Sequence, residues 1–126
     1  MGLLAAGITM GVAAVFPPNL VFSFLAAVLG LVVGLYPGLA MATPDVGRPG
    51  LEWTMAVLIL LLGLVGLWIS PLVLAVAWLL HGLWSLMHRV TGIGDQVPEG
   101  VPGTCFTFDL VMAVFTAFMG GASTLP

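Results

Sequence analysis

Long apolar runs, broken by proline, glycine and a few charged residues, divide the chain into five segments at about 2–16, 20–42, 51–69, 71–90 and 104–122. Read as helices rising about 1.5 Å per residue, the last four are long enough for a hydrocarbon core of about 30 Å. The first reaches only roughly 22 Å, which predicts a short, tilted or incomplete span. It stops at Pro17-Pro18-Asn19, a strong turn signal, and Pro37 is expected to kink the second segment near its end. Thr43–Gly50 reads as a loop. Ser70-Pro71 reads as a helix N-cap followed by proline at the first helical position, which makes the third and fourth segments a tight antiparallel hairpin. A second polar loop, 91–103, precedes the last segment. The expected fold is all-α: one transmembrane domain over residues 1–126, an integral membrane helical bundle of four full transmembrane helices plus one short N-terminal span.

Composition makes the bilayer the required solvent. Of 126 residues only seven are charged, two Arg and five Asp or Glu, and 61% are hydrophobic. Soluble domains carry about a quarter charged residues, so this chain could not cover a water-facing surface. Nucleic-acid binding is excluded, because a net charge of −3 with no Lys cannot neutralise a phosphate backbone. No length remains for a soluble catalytic domain. A lone Cys105 rules out an internal disulfide. The N-terminus lacks the basic stretch of a signal peptide and the Ser or Thr of a myristoylation signal. No internal repeat supports an inverted-repeat transporter.

Small residues recur at four-residue spacing. Gly30, Gly34 and Gly38 continue the register of Ala26, Gly7 and Gly11 repeat the pattern, and Ala113, Ala117 and Gly121 do so in the last segment. Such ridges let helices approach closely, either within one bundle or against a partner. Topology follows from parity: loops 43–50 and 91–103 lie on one side, and both arginines, Arg48 and Arg89, fall there. The positive-inside rule makes that side cytoplasmic. Trp53 and Trp68 bracket the third segment as interfacial anchors would.

Placed on these helices, every ionisable group maps to one half of the membrane or its border. Glu52 starts the third span, His88 and Arg89 end the fourth, Asp109 lies near the start of the fifth, and His81 sits deepest. Ionisable groups at such depth cost on the order of 2.5–3.5 kcal/mol each on insertion scales, so they turn inward and find partners. His81 and His88 share a helix face, with Trp84 between them. Asp109 shares a face with Cys105 and the Ala113–Gly121 ridge, and Tyr36 approaches the same half from the second segment. Glu52, His81, His88, Cys105, Asp109 and Tyr36 therefore form the expected polar cluster, with His81 or His88 bonded to Asp109. Glu52 and Arg89 are expected to meet headgroups or each other. The two histidines stand about 10 Å apart along the axis, too far to hold one metal, and no metal-site motif is present. Imidazole can also ligate a macrocycle axially, so His81, His88 and Trp84 form a candidate site for a (bacterio)chlorophyll or haem, with carotenoid a further pigment.

The run Trp78-Leu-Leu-His81-Gly-Leu-Trp84-Ser-Leu-Met-His88, followed past a Pro/Gly loop by Cys105-Phe-Thr-Phe-Asp109, resembles a family of uncharacterised small bacterial multispan membrane proteins. That family carries a His-x-x-Trp-x-x-x-His helix and then a Cys-x-x-x-Asp helix. Tyr36-Pro37-Gly38-Leu39-Ala40 and Leu51-Glu52-Trp53 look similar too, so the resemblance covers about residues 25–115. Ser85 stands where the family tends to carry Asp. The resemblance implies a one-sided site at His81, Trp84, His88, Cys105 and Asp109, and a bacterial inner membrane location, but no reaction.

Three functional readings follow. The first is an accessory or structural subunit docking its glycine-rich faces on other transmembrane subunits of a larger, energy-converting complex. The second is a pigment- or haem-binding protein using His81 or His88. The third is an intramembrane enzyme or transporter for an apolar or amphipathic substrate at the one-sided polar site. The absence of any catalytic motif weighs against an enzyme.

Overall fold

In a computed structural model the described residues, 1–43, 45, 47–91 and 97–123, form six α-helices and no strand. They are α1 (Gly2–Ala13), α2 (Pro18–Val33), α3 (Leu35–Ala42), α4 (Pro49–Ile69), α5 (Pro71–Thr91) and α6 (Val101–Ser123). Helices α2 and α3 follow one another as a single apolar stretch, Pro18–Ala42. With α4, α5 and α6 this makes four spans long and apolar enough to cross a membrane. The 12-residue α1 is about 18 Å long, too short to cross on its own.

Local chemistry sets the boundaries. Helix α1 ends at Ala13, short of the expected residue 16, and Phe16 instead stacks on Phe24 with ring centroids 4.8 Å apart. Pro18 then occupies the first turn of α2, where its missing N–H costs nothing. The break in the second span falls at Gly34, three residues before Pro37. Pro37 has no N–H to donate to the Val33 carbonyl, so the ladder fails one turn earlier than the proline itself. Ser70 caps α5: its backbone is extended, with φ −167° and ψ 138°, and Oγ accepts from the Leu72 N–H at 3.2 Å. The last helix begins at Val101 and not at 104. Gly100, at φ 91°, takes the left-handed turn that glycine tolerates, and Pro102 sits in the first helical turn. Residues 92–96 of the expected 91–103 loop, with Asp95, lie outside the described residues.

Helix α5 is central. It packs on α4 and α6, while α1 lies along α6, and α2 and α3 lie along α4. Its buried face runs Leu74, Trp78, His81, Ser85 and His88, alternating steps of four and three, the seam of a helix enclosed by its neighbours. The apolar end of this seam meets Leu25, Leu29, Ile59 and Met112 in the core; the polar end forms the site described below.

The glycines that bring helices together are not those of the expected ridges. A Cβ on Gly66 would stand 2.5 Å from the Leu74 backbone nitrogen, and one on Gly120 would stand 2.7 Å from Pro71. Gly82 likewise faces the Asp109 Cβ across α5 and α6, at 3.1 Å. In the ridge expected on the second span, Gly30 meets only a Leu60 methyl, while Gly34 and Gly38 are exposed and touch no other helix. Gly7 and Gly11 are exposed as well. In α6, Ala113 is buried, Ala117 half-buried and Gly121 exposed. Four-residue spacing defines a stripe but not its direction, and α3 turns inward on Tyr36, Pro37 and Ala40, which sends Gly38 outward. Trp53 and Trp68 both face outward.

Candidate functional site

Four ionisable side chains are buried together at the loop end of the bundle: Glu52, His81, His88 and Asp109, none more than 5% exposed. Glu52 lies in the first turn of α4, where the positive end of the helix dipole favours a carboxylate. His81 and His88 lie two turns apart on the inward seam of α5, and Asp109 projects from α6. Because α4 and α5 form a hairpin, the start of one helix stands beside the end of the other. This brings Glu52 and His88 together although 36 residues separate them.

The four groups form two pairs. Glu52 Oε1 lies 2.5 Å from His88 Nε2, and Trp84 Nε1–H donates to Glu52 Oε2 at 3.0 Å. Asp109 Oδ2 lies 2.7 Å from His81 Nδ1. Asp109 thus takes His81 alone, and His88 goes to Glu52. Glu52 meets neither a headgroup nor Arg89, because the α4–α5 hairpin buries its first turn against Trp84 and His88.

The first pair has a determinate hydrogen count. His88 Nδ1 lies 2.9 Å from the Trp84 carbonyl oxygen, which can only accept, so Nδ1 carries a hydrogen. One further proton then lies between Nε2 and Glu52 Oε1. It rests on the imidazole, giving an ion pair, or on the carboxyl, giving two neutral groups. Trp84 supports both arrangements, since Oε2 accepts its N–H in either.

Tyr36 joins the pairs. Its ring stacks on His88, with centroids 4.2 Å apart and planes 11° apart, and lies 5.7 Å from the His81 ring. Its hydroxyl faces Ser85 and Cys105, and Cys105 is buried beside Asp109. Tyr36 Oη, His81 Nε2 and Asp109 Oδ1 are buried without a hydrogen-bond partner among the described residues. Ser85, whose hydroxyl donates to the His81 carbonyl, belongs to this cluster. Its four-residue step from His81 places it on the same face, which is the signal that marks it. Thr116, buried within α6, carries no comparable signal.

Neither histidine fits an axial ligand for a macrocycle. Both His88 nitrogens are engaged, and Trp84 is held by Glu52. His81 Nε2 has no partner, but the side chain is 1% exposed. His81 does not line the grooves beside α1 and the start of α6, between α4 and α5, or along the outer face of α6. No group of three metal-ligating side chains occurs among the described residues. His88 borders open space without its ring being exposed: with Arg89 it lines a cavity of about 820 Å³ at the loop end of the bundle, between α1, α5 and the first turns of α6, while its side chain is itself 1% exposed.

No curated protein and no solved structure matches this chain. The model of one family matches residues 7–123, from within α1 to the end of α6, and so takes in every side chain of both pairs. The chain belongs to that family, a family of unknown function (DUF6010).

Proposed function

We propose that this chain is an integral membrane acid–base protein, in which the Glu52–His88 pair exchanges its proton with an amphipathic molecule. The substrate reaches the pair from the cavity that His88 lines. The observation that carries this reading is the short contact between two buried groups, His88 and Glu52, beside a cavity that His88 borders. A pair built only to hold helices together needs no such opening. General acid–base work requires a group that holds a proton in one state and gives it up in another, and imidazole is the side chain suited to this near neutral pH. His81 and Asp109 extend the polar cluster inward, and Tyr36 holds the ring of His88 by stacking on it. The protein sits in a bacterial inner membrane with loops 43–50 and 91–103 toward the cytoplasm, as Arg48 and Arg89 direct.

The test is nitrogen NMR of the histidine rings in lipid nanodiscs, from about pH 5 to about pH 9. His88 is expected to titrate reversibly and to change its profile in Glu52→Gln. An unchanging His88 spectrum across that range in both proteins overturns the reading.

A second reading draws on different residues. Gly7, Gly11, Gly34 and Gly38 face away from the bundle, which suits close contact with helices of another transmembrane subunit. In this reading the chain also docks as an accessory subunit on a larger, energy-converting complex. Purification in mild detergent should recover partner subunits with the wild type and lose them with Gly34→Leu/Gly38→Leu. Recovery of the wild type alone, as a stable monomer, removes this reading.

A further inference from the structure

The cavity that His88 lines also presents Arg89, Glu99, Gly103, Thr104 and Thr107. From these residues we infer that it binds the phosphodiester group of an amphiphile. The inference names the substrate class for the site proposed above and rests on that reading for its consequence, the delivery of the ligand to His88.

Arg89 is the central observation. Its Nη1 lies 3.2 Å from where a Cβ on Gly103 would stand, so the guanidinium extends across the first turn of α6. The ion pairs among the described residues are His81–Asp109 and His88–Glu52, so none of the described carboxylates holds Arg89 there. A planar guanidinium with free donors matches two oxygens of a phosphate. Its level suits such a ligand as well. Arg89 lies two residues before the end of α5, at the border of the apolar span, where basic side chains meet lipid headgroups. The cavity, about 820 Å³, lies within the usual range of about 300–1,000 Å³ for ligand pockets, room for more than an inorganic ion.

Glu99 narrows the ligand. Among the described residues it is the carboxylate on the lining, and it is exposed at the rim. A monoanionic phosphodiester can meet Arg89 with less repulsion from Glu99 than a phosphomonoester suffers. Phosphodiesters of this kind occur as lipid headgroups and as small soluble molecules. Arg89 would bind the group the same way in either.

Binding is read by native mass spectrometry and thermal unfolding of the full chain in a neutral detergent. The probes are phosphatidylglycerol, diacylglycerol as the same lipid without phosphate, glycerophosphoglycerol as the soluble diester, and inorganic phosphate. Phosphatidylglycerol is expected to bind, diacylglycerol not to bind, and Arg89→Gln to weaken binding by about tenfold or more with unchanged helix content. Displacement of the lipid by glycerophosphoglycerol assigns the site to a soluble diester, and resistance to it assigns the site to lipid; both outcomes support a phosphodiester site. Equal binding by Arg89→Gln and wild type, equal binding of diacylglycerol, or stronger binding of inorganic phosphate than of either diester overturns it. Glu52→Gln separates the two proposals. It should retain phosphodiester binding, so a failed histidine titration with intact binding overturns only the acid–base reading, and the reverse overturns only this one.

Discussion

Replacing Glu52 with Ala removes one carboxylate and strands two polar groups. Trp84 Nε1 and His88 Nε2 both point at it, at 3.0 and 2.5 Å, and neither has another partner in reach among the described residues. A buried polar group left without its partner costs about 1–3 kcal/mol, so the two together cost about 2–6 kcal/mol. A broken buried ion pair falls in the same range, at about 3–5 kcal/mol. Hydrogen bonds between membrane helices set a lower bound, because double-mutant cycles there average only about 0.6 kcal/mol and reach about 1.7. The two scales answer different questions. Truncation includes the orphaned groups, whereas the cycle isolates the coupling. We therefore expect Glu52→Ala to lose about 2–5 kcal/mol. The double variant Glu52→Ala/His88→Ala should cost at least about 1 kcal/mol less than the two single losses added together. Unfolding of the detergent-solubilised chain by sodium dodecyl sulfate, followed by far-ultraviolet circular dichroism, gives all three free energies. Single losses below about 0.5 kcal/mol, or additivity within about 0.5 kcal/mol, would refute the claim that these groups are energetically joined.

Other predictions concern neighbouring features and use the same unfolding measurement. Gly66→Ala forces a methyl to within 2.5 Å of the Leu74 nitrogen and should destabilise the α4–α5 hairpin by about 1–3 kcal/mol; a neutral outcome would mean the hairpin is more open. Gly34→Leu faces outward and should leave stability within about 0.5 kcal/mol, whereas a loss above about 1 kcal/mol would place Gly34 in an internal contact. Tyr36→Phe removes a hydroxyl that lacks a hydrogen-bond partner. It should be neutral or slightly stabilising, and a cost above about 1 kcal/mol would reveal a partner. Ser70→Ala deletes the α5 cap and should cost about 1 kcal/mol; no change would show that the Oγ bond contributes nothing.

The spans were legible because a bilayer demands long apolar runs, and little else in a chain with seven charged residues can satisfy that demand. The gathering of ionisable groups at one end was legible too, since helix rise converts residue number into depth. Which histidine takes which carboxylate was not. Depth alone put Asp109 between His81 and His88, and the choice depends on how α6 is rotated about its axis against α5. That rotation is set by the fit of Gly82 against the Asp109 Cβ, a contact between residues 27 positions apart. The direction of the glycine stripes was not legible for a related reason. In a soluble helix the polar face declares which side is out, but a helix apolar all round gives no such mark, and Gly34 and Gly38 could be placed on a stripe without being placed inside. Glu52 was misdirected toward headgroups because its position in the first turn of α4 suggested the interface. The hairpin that folds α5 back over that turn covers it.

The fixed hydrogen on His88 Nδ1 has an electrical consequence. With that nitrogen committed to the Trp84 carbonyl, moving the other proton between Nε2 and Glu52 Oε1 changes neither the pair's total charge nor its proton count. Only a local dipole changes, over a 2.5 Å gap in a bilayer core about 30 Å thick. A full elementary charge crossing the membrane couples to the potential by about 2.3 kcal/mol per 100 mV. A shift over less than a tenth of that distance couples by no more than about 0.2 kcal/mol. The pair can therefore rearrange internally at almost any membrane voltage, and the voltage acts only when a proton leaves it.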